Sequence, residues 1–213
     1  MKISNVILFC SIVLKSTLLY AQEKKIKQEL IIGGIYSSIA IPNINNLLDK
    51  QNLASIGEQY VGSHINYNLY FRKYIFSADV SNGMSSNTFN TYLNKSNFSS
   101  FGLGFSYPLF SGVNLGFCIQ STLFQSSIVK NQNQDIRNLN FDRVMLFNNN
   151  LSFGSKISYK LFDNTRLPYY VELSYFLGLN NQWNLDNTSN ATLIINDNFN
   201  RLLISFGIPI LKK

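Results

Sequence analysis

Residues 150–161 read NLSFGSKISYKL, and large apolar side chains occupy every second position of this stretch apart from Ser155. One side of the extended chain carries Leu151, Phe153, Ile157, Tyr159 and Leu161, and the other carries Asn150, Ser152, Gly154, Lys156, Ser158 and Lys160. Successive side chains of a β-strand point to opposite faces, so a period of two is typical of a strand. The stretch therefore predicts a strand with one apolar face and one small, polar face.

Seven further stretches show the same alternation, although the first of them is less regular: 29–39, 63–72, 74–80, 100–107, 113–124, 169–179 and 201–210. The connections between them alternate in length. Long ones are expected at 39–61, 84–98, 124–148 and 180–200, and short ones at 72–74, 108–112 and 162–167, where Asp163 and Asn164 favour a turn. Eight strands in this order predict an all-β fold, an eight-stranded antiparallel up-and-down barrel with both termini on the short-turn side.

The charge content decides which face of the strands points outward. Charged residues make up 14% of the chain and hydrophobic ones 46%, whereas soluble domains contain about 25% charged residues. The main alternative is a soluble eight-stranded barrel such as a lipocalin, which would expose the polar faces to water. Those faces contain mostly Ser, Gly and Asn, which suit a narrow lumen better than a water-facing surface. We therefore predict a transmembrane β-barrel whose apolar faces point outward.

Aromatic residues flank all three short connections. They are Tyr70, Phe71, Tyr74 and Phe76 at the first, Tyr107 and Phe110 at the second, and Tyr159, Phe162, Tyr169 and Tyr170 at the third. Amphipathic rings at one level of a membrane protein suit the headgroup region. We therefore expect these residues to form an interfacial girdle at the short-turn end.

The N-terminus has the features of a secretory signal peptide. Lys2 precedes an apolar run over residues 6–14, and a small residue, Ala21, stands at the expected cleavage point. We predict a signal peptide at 1–21 and a barrel domain at 22–213. Removal of Lys2 and Lys15 lowers the formal charge from +7 to about +5. Cys118 is then the one remaining cysteine, so no internal disulfide is expected, and neither export nor the scattered basic residues favour nucleic-acid binding.

The mature sequence resembles the small bacterial outer-membrane β-barrel families that include the OmpA transmembrane domain and OmpX. The resemblance rests on the signal peptide, the alternating strands and loops, and the final strand with Leu202, Ile204, Phe206, Ile208 and Ile210. Such barrels often end in an aromatic residue, whereas this chain ends in Lys213. The resemblance implies a porin-like protein of the Gram-negative cell outer membrane. Its implied partners are outer-membrane lipids, lipopolysaccharide and the barrel-assembly machinery.

Charged residues on the inward face are expected to form a lumen ion network. Lys156 and Glu172 share that face, and a hairpin centred near Asn164 would place them side by side on adjacent strands. Arg201 on the final strand is expected to join them, and Asp79 to be held by Asn66 or Asn68 across the second hairpin. Buried charges need such partners, so we interpret the network as a structural plug and not as a transport path.

Two hypotheses concern activity, and the family resemblance alone does not choose between them. The enzymatic one is a lipid A acylase or acyltransferase with His64, the only histidine, as base; Ser63 points to the opposite face and no acid partner is evident. A small hydrophobic-molecule channel is a further alternative. We favour a structural, anchoring or surface-binding role in the long outer loops, and we predict no catalytic residues.

The outer loops contain two candidate features for binding an extracellular ligand or protein. Ile44, Leu47, Leu48, Leu53 and Ile56 suggest that the first loop folds into a short helix that caps the barrel. Trp183 in the last loop is a candidate exposed aromatic contact. The sequence contains no metal-binding, phosphate-loop or nucleotide-binding motif, so no cofactor or metal is expected.

Overall fold

The computed structural model describes residues 26–90, 92–110, 112–130, 143–161, 168–179, 182–186, 195–197 and 199–212. The signal peptide predicted at 1–21, Phe162 and the turn at Asp163 and Asn164 lie outside these residues. Within them, no helix is long and apolar enough to cross a membrane.

The described chain consists almost entirely of strands. The elements are β1 (Lys27–Ala40), α1 (Pro42–Lys50), β2 (Gln59–Phe71), β3 (Tyr74–Phe89), β4 (Tyr92–Phe110), β5 (Val113–Lys130), β6 (Arg143–Leu161), β7 (Tyr169–Gly178), β8 (Gln182–Asp186), β9 (Ile195–Asn196) and β10 (Asn200–Lys212). Successive strands from β1 to β7 pair antiparallel.

Pairing between β1 and β10 closes the sheet into a barrel. Glu29 lies opposite Lys212 and Ala40 opposite Asn200 in this pair, and β10 continues the ring to β7. Among the described residues, the ring therefore contains the eight predicted strands, β1–β7 and β10. β8 pairs with β6 beyond the end of β7, and the short β9 adds to β8. The predicted up-and-down barrel is confirmed.

Burial along the strands confirms the assignment of faces. On β6, Leu151 and Ile157 are 47% and 43% exposed, whereas Ser152 and Lys156 face inward and are buried. The outward apolar residues form a continuous belt on all sides of the barrel, including Ile65, Val80, Leu103, Ile119, Phe153, Leu173 and Ile204. On β6 the belt extends over 151–161, close to the 9–11 residues that a tilted membrane strand requires. An apolar surface of this extent belongs in lipid.

Four strands continue well beyond the belt at the long-loop end, so the predicted limits of the long connections are wrong. β3 and β4 run through the expected loop 84–98 and remain paired as far as Phe89 and Tyr92. Asn90, directly after β3, has a φ of 53°. β5 and β6 likewise extend into 124–148, and β8 and β9 occupy part of 180–200. The outer parts of β3 and β4 are rich in Ser, Asn and Thr because they project past the lipid, where a strand needs no apolar outer face.

The girdle prediction is wrong at two positions. Tyr70 and Tyr170 point into the lumen, because each lies an even number of residues from an inward side chain on its strand, Asn68 and Glu172 respectively. At the outer surface, the Tyr74 ring lies 5.2 Å from that of Phe105 and 6.0 Å from that of Tyr107. Exposed aromatic residues thus surround the short-turn end, while two tyrosines supply hydroxyl groups to the interior.

Candidate functional site

The half of the lumen nearer the short turns contains the predicted contact between Lys156 and Glu172. The Lys156 Nζ lies 3.5 Å from a Glu172 carboxylate oxygen, and both side chains are buried. The Tyr170 hydroxyl donates to the same carboxylate at 2.6 Å, and the Ser174 hydroxyl donates to its other oxygen at 3.2 Å. Lys156 also donates to the Ser77 hydroxyl at 2.6 Å, across the lumen. The hydrogen bond from Lys156 on β6 to Ser77 on β3 therefore links this ion pair to the far wall of the barrel.

A second ion pair lies nearer the short-turn end and was not predicted from the sequence. The Lys160 Nζ lies 2.7 Å from a carboxylate oxygen of Glu29, whose side chain is 0% exposed. The Tyr70 hydroxyl donates to the other oxygen of that carboxylate at 2.6 Å. Lys160 shares the inward face of Lys156, but its partner lies 131 residues away. Only closure of the barrel brings the two strands close enough for this contact.

Asp79 is held by Gln120 and not by the predicted Asn66 or Asn68. The Gln120 Nε2 donates to Asp79 at 3.2 Å and to the Ser100 hydroxyl at 3.1 Å. Asp79, Gly102 and Gln120 occupy one row across three strands. Gly102 has no side chain, so Gln120 reaches over it, and a Cβ at Gly102 would collide with the Asp79 carboxylate.

Arg201, predicted to join the ion network, forms no ion pair within 4 Å of a carboxylate among the described residues. Its guanidinium lies between two rings, with its carbon 5.0 Å from the ring centroids of Phe98 and Phe176. Neither terminal nitrogen has a hydrogen-bond partner among the described residues. On β7 the register partner of Arg201 is Phe176, whereas Glu172 lies opposite Ser205. Arg201 therefore lies nearer the long-loop end of the lumen than the Lys156 pair does. Its cation–π contacts take the place of an ion pair.

Among the described residues, no hydrogen bond joins His64 to a nucleophilic side chain. His64 faces the lumen and is 1% exposed, and its ring nitrogens have no hydrogen-bond partner in the described part of the chain. Ser63 points outward, where its hydroxyl donates to the Asn82 side-chain oxygen at 3.1 Å. A base for lipid chemistry must reach the lipid, and the barrel wall separates His64 from it.

Trp183 is buried, so the expectation of an exposed aromatic contact is wrong. Trp183 lies opposite Asn148 in the pairing of β8 with β6, and this register turns its side chain inward at 0% exposure. Its ring centroid lies 5.2 Å from that of Phe124 and 6.2 Å from that of Phe199. Tyr60 packs edge-on against Phe124 at 5.5 Å. These rings fill the lumen on the long-loop side of Arg201.

The first long loop forms the predicted helix, α1, which covers this aromatic cluster. Ile44 and Leu48 lie on its buried side. Its first turn has no side-chain cap of its own, and Asp197 from the last connection supplies one. The Asp197 carboxylate accepts from the backbone N–H of Asn43 at 3.3 Å and of Ile44 at 3.0 Å. A carboxylate at a helix N-terminus satisfies otherwise unpaired N–H groups and interacts favourably with the helix dipole.

The segment after α1 is fastened to the barrel by asparagine side chains. Asn45 exchanges two hydrogen bonds with the backbone of Ile56, at 2.8 and 3.1 Å. Asn87 of β3 donates to the Ser55 hydroxyl at 2.8 Å, and Asn94 of β4 donates to the Ala54 carbonyl at 3.2 Å. Residues 41–58, which we call the cap, are thereby fixed against the extended wall.

Taken level by level, the interior consists of two ion pairs, a polar layer around Asp79, an aromatic cluster and the cap. The described residues contain no group of three or more His, Cys, Asp or Glu that could hold a metal ion. These layers occupy the lumen from the short-turn end to the cap.

Comparison with known proteins gives the fold but no close relative. Neither a protein-family model nor a curated protein sequence matches the chain. Ail, the attachment invasion locus protein of Yersinia pestis, is similar in structure with a TM-score of 0.55 and 8% identity, over 86% of this chain and 98% of Ail. Its complex with the heparin analogue sucrose octasulfate gives a TM-score of 0.53 and 8% identity, over 87% and 99% of the two chains.

A major outer membrane protein from Thermus thermophilus is similar to the same degree. The TM-score is 0.53 at 9% identity, over 86% of this chain and 99% of the other. Identities this low carry information on architecture alone. With its closed eight-stranded ring and apolar belt, the chain has the fold of the small outer-membrane β-barrels.

Proposed function

We propose that this protein is a closed membrane anchor that presents a rigid binding surface outside the cell. We call that surface the platform: it comprises the cap and the parts of β3, β4, β5 and β6 that project beyond the apolar belt. The fastening of the cap by Asp197, Asn87 and Asn94 is the observation that carries the proposal. These bonds join the first and last connections and the wall into one unit.

The filled lumen supports an anchor over a channel. A permeating molecule would have to displace the cap, pass the Trp183 cluster and break both ion pairs. Each of these steps removes packed side chains or exposes a buried charge, which is costly. A channel for small hydrophobic molecules is therefore not favoured.

The platform is suited to binding because it is ordered before a partner arrives. A tilted strand needs only about 9–11 residues to cross the membrane, whereas β4 has 19. The projecting outer face carries exposed polar side chains, including Ser86, Lys95 and Gln125. A preformed surface loses little conformational entropy on binding. Ail is an attachment invasion locus protein with a comparable barrel, which supports attachment to an extracellular ligand or protein as the class of activity.

Cysteine labelling tests where the platform lies. A membrane-impermeant maleimide applied to intact cells should label Lys95→Cys on the platform. It should label Lys73→Cys, at the opposite end, only after permeabilisation. The native Cys118 is buried in the lumen and serves as an unlabelled control. Labelling of Lys73→Cys and not of Lys95→Cys in intact cells would reverse the orientation and contradict the proposal.

Two further measurements address the alternatives. Liposomes that contain the folded protein should swell in a small sugar no faster than empty liposomes; swelling at the rate of an open porin would refute a closed anchor. Lipid A mass spectra from cells with and without the protein should be identical, and an altered acyl chain pattern would favour the enzyme hypothesis.

A further inference from the structure

Three exposed basic residues lie together at the short-turn end of β1, β2 and β3. Lys27 begins β1 and is the register partner of Tyr70 on β2. Arg72 and Lys73 form the turn that joins β2 to β3, with Arg72 at a φ of 55°. All three side chains are exposed. We call this group the basic collar.

In the described part of the chain, no nearby acidic side chain neutralises the basic collar. Glu29, the acidic residue on the same stretch of β1, is fully buried and is already paired with Lys160. Among the described residues, the exposed acidic side chains, Asp49 and Glu58, lie at the opposite end of the barrel. There they balance the exposed Lys50 and Lys95. The described side chains therefore give the short-turn end a net positive surface, whereas those at the outer end give none.

Aromatic contacts place Arg72 at the edge of the apolar belt and Lys27 at the short-turn mouth of the lumen. The Lys27 Nζ lies 5.2 Å from the ring centroid of Tyr70, and the Arg72 guanidinium carbon lies 5.5 Å from that of Phe71. Phe71 and Tyr74 are themselves exposed on the outer surface of the barrel. Basic side chains beside interfacial rings extend their charged groups to the level of the lipid headgroups.

We infer that the basic collar binds anionic phospholipid headgroups in the leaflet on the short-turn side, which is the periplasmic leaflet of an outer membrane. A guanidinium recognises phosphate oxygens through paired hydrogen bonds, and the ammonium groups add point charges. Each Lys or Arg near an anionic membrane surface strengthens binding by about fivefold. The inference goes beyond the surface-binding proposal, because it concerns the opposite end of the barrel.

Native mass spectrometry of the folded full-length chain in detergent tests this binding. The protein is titrated with phosphatidylglycerol and with phosphatidylcholine of identical acyl chains. Phosphatidylglycerol should bind more tightly, and the triple variant Lys27→Gln/Arg72→Gln/Lys73→Gln should lose affinity by on the order of 100-fold. The matched control Lys50→Gln/Lys95→Gln, at the outer end, should change the affinity by less than about twofold. A heat-dependent gel shift verifies that each variant is folded.

Three results would overturn the inference: equal binding of the two lipids, unchanged phosphatidylglycerol affinity in the triple variant, or an equal loss in the control. Glycerol phosphate, which has the headgroup charge without acyl chains, separates lipid from free phosphate. Glycerol phosphate that binds as tightly as phosphatidylglycerol would refute a lipid site. Should the triple variant fail to fold, Lys73→Gln alone should weaken phosphatidylglycerol binding by about fivefold, and an unchanged affinity would again refute it.

Discussion

Replacing Glu172 with Gln keeps the shape of the side chain and removes its charge from the interior of the barrel. The Lys156 ammonium would then lose the one carboxylate within 4 Å of it among the described residues and would keep its hydrogen bond to the neutral Ser77 hydroxyl at 2.6 Å. Removal of one partner of a buried pair costs about 3–5 kcal/mol. We expect about 3 kcal/mol, the lower end, because the Gln oxygen still accepts from Tyr170 and Ser77 still binds Lys156.

A double variant isolates the charge effect. Lys156→Met/Glu172→Gln removes both charges, and replacement of a whole buried pair by uncharged groups is often neutral or stabilising. We expect its stability within about 1 kcal/mol of the wild type, so the second substitution should restore about 2 kcal/mol of the stability that Glu172→Gln loses. Lys95→Gln, on the exposed platform, is the surface control and should change stability by less than about 0.5 kcal/mol.

The assay is urea unfolding in lipid vesicles, followed by the fluorescence of the buried Trp183 and by the gel mobility of unboiled samples. Equal stability of Glu172→Gln and the wild type, within about 1 kcal/mol, would show that the two charges are not a coupled buried pair. A double variant as unstable as the single one would show that packing or hydrogen bonding at Glu172 is responsible, and not its charge.

Three further perturbations test other levels of the structure. Leu103→Arg on the apolar belt should cost about 2–4 kcal/mol in vesicles, whereas Gln125→Arg on the platform should cost about 0–1 kcal/mol; equal costs would contradict the assigned membrane position. Asp197→Ala removes the cap on α1, worth about 0.5–2 kcal/mol, and should accelerate tryptic cleavage after Lys50; an unchanged cleavage rate would show that the carboxylate does not fasten the helix. Gly102→Val would press a side chain against the carboxylate across the hairpin and should lower the unfolding free energy by about 1–3 kcal/mol in urea, so full stability would disprove the close approach.

Much of the fold follows from local alternation along the chain. Leu151 and Ile157 face outward and Ser152 and Lys156 inward, as the period of two predicts. The adjacent-strand contact of Lys156 with Glu172 is also predictable, because a single short turn sets that register. The lengths of β3 to β6 are not predictable from the sequence. Their outer ends mix apolar and polar residues on each face, as Phe124 and Ser126 do on the inward face of β5, so the alternation that marks a strand is lost.

Contacts across the lumen cannot be inferred from the sequence for a different reason. The partner of Asp79 depends on Gly102, whose missing side chain lets Gln120 reach across a whole strand. Arg201 shares the inward face of the ion network. Its register with Phe176, however, places it at a different height along the barrel axis. The sequence pattern predicts a loop around Trp183, whereas pairing with β6 turns its side chain inward.

The sequence by itself determined the number of strands, their inward and outward faces and the membrane class, because each of these depends on residues two positions apart. Tertiary structure alone decided how the barrel is filled and closed. Glu29 meets Lys160, and Asp197 caps a helix 153 positions away along the chain. Such pairs are set by strand register and ring closure, which place distant residues at the same height and leave no local trace in the sequence.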